Sequence, residues 1–224
     1  RIVVNTVHSY LLFSVHFSLA VTESSLLSRF FEQVLVDQWI LDEIKRKQRD
    51  ILPVIEGELS NASFLLLVDR VELQGRQLLS LYETELDDMR NLFLPPDEGE
   101  KRVIALARAT GVGFVLTDDE KQDGPYWSIE RGIISHVEAL AFWDLVYMGI
   151  LDGGYSDYIA ARESYNRICQ QGYHPPYAPG FGSRMAAAVR RLKDKEWFKQ
   201  WCQARGVKAG VTIELLKQIK QAGW

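Results

Sequence analysis

The chain has 224 residues, of which 47% are hydrophobic and 25% are charged, an ordinary composition for a globular protein. No apolar run reaches the roughly 18 residues that a membrane-spanning helix requires, so a membrane partner is not expected. The cysteines, Cys169 and Cys202, have neither disulfide-framework nor metal-site spacing, which favours a reducing, cytoplasmic location. The length predicts one large domain, or one domain with an extension.

Charge is distributed unevenly along the chain, whose formal net charge is −4. Residues 183–224 contain ten Lys or Arg and three Asp or Glu, whereas the preceding residues are strongly acidic. An acidic body with a basic end is typical of a nucleic-acid partner. A solvated helical tail explains the same pattern equally well, and both interpretations stay open.

Short apolar runs alternate with helical patterns through most of the chain. In the first half, the predicted elements are a buried strand over 1–6, a buried helix or turn over 10–21, a helix around 24–32, an apolar run at 34–36, a helix over 38–49, a strand over 64–68 and a helix over 77–89. In the second half, they are a helix over 98–110 capped by Asp97, a strand over 114–117, a strand beginning at 133–134 and a helix over 137–148.

This alternation predicts an α/β protein with three layers, in which helices cover both faces of a central parallel sheet. The predicted domain covers residues 1–155 and has a longer insertion at about 50–97. Beyond it the pattern becomes helical, which predicts a basic, helical C-terminal extension over 156–224.

Polar residues follow several of these predicted strands. Asn5 and the pair Asp118-Asp119 end apolar runs, while Glu43 and Glu100 lie on helices. Ligands of parallel sheets bind outside the carboxyl ends of the strands, so these groups would converge there. Clustered carboxylates favour a hard divalent cation such as Mg²⁺, which activates bound water. Two ordinary roles stay open: Glu100 complementing its helix dipole, and Glu43 pairing with a lysine one turn away.

The basic end also contains aromatic residues. Trp197 and Trp201 follow a cluster of arginines and lysines, and such mixtures contact phosphates and stack on bases. Leu192, Trp197 and Trp201 also recur at helical spacing, which is more typical of a buried face.

Four segments occur in the order found in one known family. They are IVVNT at 2–6, VLVDQWILDE at 34–43, DEGEKRVIALA at 97–107 and FVLTDD at 114–119. Together they resemble the motifs of the PIN-domain nucleases: a first strand normally ending in Asp–Thr or Asp–Ser, a helical Glu after an apolar run, an acidic residue opening a helix with small residues, and a strand ending in Thr and Asp.

The resemblance implies an endoribonuclease that requires Mg²⁺ or Mn²⁺. Glu43, Glu100 and one of Asp118 or Asp119 would bind the metal, and Asp119 matches the Thr-x-Asp form better. The implied substrate is RNA, with single-stranded DNA as an alternative. Many small relatives are toxins of toxin–antitoxin pairs, which implies an antitoxin-like partner protein or a homo-oligomer, although this chain is longer than the usual toxin.

Asn5 departs from the family pattern, which has Asp at this position. Asparagine keeps the shape and one carbonyl ligand but removes a negative charge, so cation binding should weaken. Either Asn5 is an engineered substitution that disables an otherwise active ribonuclease, or the natural protein is a catalytically inactive PIN-like module that binds RNA or a partner protein.

Overall fold

A computed structural model of the chain describes residues 10–13, 24–47, 49, 52–60, 64–93, 98–117, 125–171, 180–207 and 217. The strands are β1 (Tyr10–Phe13), β2 (Gln33–Asp37), β3 (Leu65–Val68), β4 (Phe114–Leu116) and β5 (Glu138–Leu140). They form a five-stranded sheet in the order β3-β2-β1-β4-β5. Every neighbouring pair is parallel.

Helices account for most of the described residues. The first six are α1 (Ser24–Phe30), α2 (Gln38–Lys47), α3 (Leu52–Ser60), α4 (Arg70–Gly75), α5 (Leu79–Leu92) and α6 (Glu98–Thr110). The remaining five are α7 (Pro125–Glu130), α8 (Phe142–Leu151), α9 (Tyr158–Gln171), α10 (Phe181–Leu192) and α11 (Glu196–Ala204). None of these described helices is long and apolar enough to cross a membrane.

The chain divides into two compact units. The sheet unit comprises the described residues among 8–17 and 31–141, with all five strands and α2 to α7. The helical unit comprises the described residues among 18–30 and 142–224, with α1 and α8 to α11. Helices α9, α10 and α11 lie beyond residue 155, and the predicted division into a domain over 1–155 and an extension over 156–224 stays a prediction.

The sheet unit is built on a strand and a helix whose side chains are almost completely buried. Val34, Leu35 and Val36 of β2 are buried, as expected for a strand with covered faces. Helix α6 contacts β1, β2 and β4, and its small residues Ala105 and Ala107 are fully buried. Small side chains let a helix approach a sheet closely, so the predicted small-residue stripe of α6 packs as expected.

Three local predictions were wrong. Residues 10–13 were predicted as part of a helix or turn but form β1, whose Leu11 and Leu12 pair with both β2 and β4. Residues 133–134 were predicted to begin a strand but lie in a turn, in which Gly132 has φ +71° and Ile133 is 57% exposed. The helix predicted over 137–148 begins only at Phe142, because Glu138–Leu140 form β5. A short apolar run does not distinguish strand from helix until its neighbours are known.

Other predictions were confirmed. Strand β3 and helix α6 begin within one residue of their predicted starts, and the class is mixed α/β with a parallel sheet. The stretch 50–97 contains the edge strand β3 and helices α3, α4 and α5, and its description as an insertion stays a prediction. The strand predicted over 1–6 lies outside the described residues.

Candidate functional site

A cavity of about 680 Å³ lies at the carboxyl ends of β2 and β3. Its wall includes residues from the ends of both strands and from four helices that follow them, among them Asp37, Trp39, Asp42, Asp69, Tyr82 and Arg102. We refer to it as the β2–β3 cavity. In parallel α/β proteins this edge of the sheet is where ligands bind.

Asp37 is the last residue of β2 and is only 4% exposed. The Trp39 backbone N–H donates a hydrogen bond to its Oδ1 at 2.7 Å, and the Tyr82 hydroxyl donates to its Oδ2 at 3.2 Å. The first bond uses a donor that would otherwise lack a partner at the start of α2. A buried carboxylate requires such donors, because burial without them would disfavour its charged form.

Arg102 extends this arrangement from α6. Its Nη1 donates to the Tyr82 hydroxyl oxygen at 3.3 Å, and its Nε donates to Glu98 Oε1 at 3.0 Å. The Asp37–Tyr82–Arg102 chain therefore connects β2, α5 and α6 through one carboxylate, one phenol and one guanidinium. It holds together parts of the sheet unit that are distant in sequence.

The protonation behaviour of this chain follows from burial. Burial raises the pKa of Asp37 above its usual value, although the Trp39 amide, the Arg102 charge and the Tyr82 hydrogen bond each lower it. Burial and the Asp37 charge also raise the pKa of Tyr82, so its phenol remains a donor. The interactions therefore compensate the burial of Asp37 only in part.

Asp69 has the corresponding position after β3. Its Oδ1 accepts a hydrogen bond from the Glu72 backbone N–H at 2.7 Å and so caps α4. Asp37 and Asp69 thus start the helices that follow two adjacent strands. Both residues also line the cavity.

The guanidinium groups of the cavity wall are already engaged in ion pairs. Arg70 pairs with Glu83 at 2.5 Å, and Arg90 pairs with Glu98 at 2.6 Å. Arg102 pairs with the same Glu98 carboxylate at 3.0 Å. Partial burial acts to raise the pKa of Glu98, but hydrogen bonding and attraction from Arg90 and Arg102 hold it below its usual value.

The predicted metal ligands are only partly within the described residues. Glu43 on α2 is buried at 6% exposure, and Glu100 lies half-buried in the first turn of α6. Neither residue lines the β2–β3 cavity. Asn5, Asp118 and Asp119 lie outside the described residues. Among the described part of the chain, no three His, Cys, Asp or Glu side chains converge as a metal site would require.

The basic C-terminal region uses several of its arginines within the helical unit. Arg191 forms an ion pair with the fully buried Asp144. Arg205 and Arg29 both pair with Asp152, at 3.0 and 3.1 Å. Ion pairs of this kind fix the packing of helices, so these arginines do not form the free basic face that the charge pattern suggested.

The helical spacing of Leu192 and Trp201 reflects packing. Leu192 is completely buried, and Trp201 is 2% exposed. The Trp201 ring stacks on Phe198 with centroids 5.7 Å apart and meets the edge of Phe30 at 5.9 Å. The buried-face interpretation is therefore confirmed for these two residues, and the buried Trp201 ring is not available to stack on a base.

Sequence reasoning missed Asp37, Asp69 and Tyr82. The first two were detectable, because each Asp directly follows an apolar run, as the chosen candidate Asp118 does. Tyr82 offered no signal, since only the fold brings α5 against the end of β2.

The fold and the site define the class of this molecule: an α/β protein with a five-stranded parallel sheet and a polar cavity at the carboxyl ends of its strands. Comparison of the chain with protein-family models, with curated proteins and with solved structures finds no match. Its function therefore has to be inferred from its own residues.

Proposed function

We propose that this chain is a PIN-type endoribonuclease that cleaves RNA phosphodiester bonds with Mg²⁺ or Mn²⁺ and that is weakened by Asn5. The observation that supports the proposal best is the strand order. In a doubly wound sheet, ligands bind where that order reverses, and here the reversal lies between β1 and β4. Thr117 directly follows β4 and precedes the predicted ligands Asp118 and Asp119.

The direction of the helices supports the same edge of the sheet. Helix α6 is joined to β4 by only three residues, 111–113, so it ends at the amino end of that strand. Because α6 also packs on the sheet, its first turn with Glu100 is expected at the carboxyl ends. Helix α2 begins directly after β2, at the carboxyl end of that strand. Glu43 lies in the second turn of α2 and is therefore expected near the same edge of the sheet.

The residue types fit the proposed metal. Carboxylate oxygens are the ligands that Mg²⁺ and Mn²⁺ prefer, and Glu43, Glu100 and one of Asp118 or Asp119 would supply them. The bound ion would activate a water molecule for attack on the phosphodiester. Asn5 would contribute a neutral oxygen where Asp contributes a charged one, so the affinity of the site for the cation would be lower.

The finer architecture belongs to the same proposal. Parallel crossovers are almost always right-handed. The chain moves from β2 to β3 in one direction and from β3 to β4 and β5 in the other. Helices α2 and α3 are then expected on one face, and α4 to α7 on the opposite face, which gives the three-layer arrangement of the proposed family. A cytoplasmic toxin neutralised by an antitoxin-like protein is the biological setting that this proposal favours.

The experiment compares the Asn5→Asp variant with the chain as given, on single-stranded RNA with Mn²⁺. We expect the variant to cleave RNA, and we expect Glu100→Gln in the same background to abolish cleavage. Glu56→Gln is the matched control, because Glu56 is an exposed acid on α3. If Asn5→Asp with Mn²⁺ cuts neither RNA nor single-stranded DNA, the proposal is rejected.

Asn5 itself favours a second candidate, a catalytically inactive module that binds RNA or a partner protein. This candidate predicts salt-sensitive RNA binding by the chain as given, retained in Glu100→Gln. Loss of binding in that variant, with the circular dichroism spectrum unchanged, would exclude it. Absence of RNA cleavage by Asn5→Asp together with retained RNA binding would support it over the nuclease.

A further inference from the structure

We propose that the β2–β3 cavity is a binding site for an organic cation, a ligand with a guanidinium or ammonium group. The proposal is independent of the nuclease proposal, because Glu43 and Glu100 do not line this cavity. The cavity volume of about 680 Å³ lies within the range of small-molecule sites. Its position at the carboxyl ends of parallel strands is the usual one for ligands.

The charge of the wall selects the ligand class. Five carboxylates and three guanidinium groups line the cavity. All three guanidinium groups already pair with Glu83 or Glu98. In contrast, Asp37, Asp42 and Asp69 have no ion-pair partner within 4.0 Å among the described residues. An anionic ligand would have to compete for engaged arginines, whereas a cation meets three carboxylates that have no direct ion-pair contact; the Arg102 charge acts on Asp37 across the Tyr82 hydroxyl.

Asp37 provides the strongest part of this argument. The residue is 4% exposed, lines the cavity and accepts hydrogen bonds from two neutral donors, the Trp39 amide and the Tyr82 hydroxyl, while the Arg102 charge acts on it without direct contact. A buried carboxylate is stabilised far more by a cation than by neutral hydrogen bonds. A bound cation would supply the compensation that the protein itself leaves incomplete.

The geometry favours an organic cation over a metal ion. No three acidic side chains of the described residues converge closely enough to share one ion. A ligand that contacts Asp37, Asp42 and Asp69 must therefore span the cavity and present several N–H donors.

The test measures binding by isothermal titration calorimetry with the whole chain. Two probes carry the same guanidinium: agmatine as a free small molecule, and an arginine residue in a peptide blocked at both ends. We expect at least one to bind, and the stronger binder identifies the source as metabolite or polypeptide. AMP is the anionic comparison, for which we expect no binding.

The variants are chosen to remove charge while keeping local hydrogen bonds. In the double variant Asp42→Asn/Asp69→Asn, the amide oxygens still accept from Gln38 and from the α4 backbone, which normally bond these carboxylates. We expect affinity for the cation to fall about tenfold or more, since two charge-assisted contacts are lost. Asp88→Asn is the matched control, because Asp88 is exposed on α5 outside the cavity wall.

Any of three results would overturn the proposal. One is that neither agmatine nor the peptide binds to the folded whole chain at millimolar concentration. Another is that binding occurs but is unchanged in the double variant. Preferential binding of AMP that depends on Asp42 and Asp69 would also reject a cation site. None of these results depends on Asn5, Mn²⁺ or RNA cleavage, so they leave the nuclease proposal untouched.

Discussion

Tyr82 connects a buried carboxylate to a guanidinium, so its hydroxyl should make a measurable contribution to stability. The substitution Tyr82→Phe removes the donor to Asp37 and the acceptor for Arg102 but keeps the ring, which is 4% exposed. A hydrogen bond to a charged group contributes about 1.5 to 3 kcal/mol, compared with about 1 kcal/mol for a neutral pair. We therefore expect Tyr82→Phe to lower the free energy of unfolding by about 2 kcal/mol at pH 7.

The loss should depend on pH. The pKa of Asp37 is raised in the folded protein, so protonation of Asp37 favours folding. The stability from this group is fully present below its ordinary pKa and is lost as the pH rises through the higher folded value. The Tyr82 hydrogen bond lowers the pKa of Asp37, so Tyr82→Phe raises it further. The deficit should therefore shrink to about 1 kcal/mol in acid, where Asp37 is neutral.

The assay is urea unfolding of both proteins from about pH 4 to pH 8, with two-state behaviour checked by two spectroscopic probes. Tyr158→Phe is the matched control: Tyr158 is half-buried on α9, and its hydroxyl has no hydrogen-bond partner among the described residues. We expect this control to change stability by less than about 0.5 kcal/mol. A Tyr82→Phe deficit that is the same at every pH would refute the role assigned to Asp37.

Three further substitutions test the packing. Trp201→Ala should cost about 3 to 5 kcal/mol in urea unfolding, because a 2% exposed indole is removed from its ring cluster. Ala107→Leu should cost about 1 to 3 kcal/mol by overpacking α6 on the sheet, whereas Thr84→Leu on the exposed face of α5 should change little. Arg191→Met should lower the free energy of unfolding by about 3 to 5 kcal/mol, because the buried Asp144 carboxylate loses the ion pair with Arg191. Adding Asp144→Asn should recover much of the loss in the urea unfolding midpoint. Equal losses in the single and double variants would contradict that explanation.

Local sequence patterns were sufficient to predict those elements that can be recognised from their own residues, without knowing what they pack against. Helix α6 has an acidic first turn, a basic residue in its last turn and a full apolar face, and its bounds were predicted correctly. Strand β3 is a run of four apolar residues between polar segments, and it too was predicted. These signals lie within the elements themselves, so they do not depend on how the rest of the chain folds.

The remaining features depend on contacts between distant residues. Strand β1 is recognisable only through its pairing with β2 and β4, because its apolar residues alone fit a helix equally well. The ion pair between Arg191 and Asp144 likewise joins segments that no sequence pattern connects. The charge count of the basic end was correct, yet it could not show which arginines face solvent.

Among the described strands, the two edges of the sheet are β3 and β5, with four and three residues. An edge strand exposes backbone donors and acceptors that can recruit a strand from another chain, and a short edge offers few of them. Fibril-like growth through these edges would gain too few bonds per added chain to be favourable. If copies of this protein associate, we therefore expect the contact to use helix surfaces, which spares the sheet from aggregation.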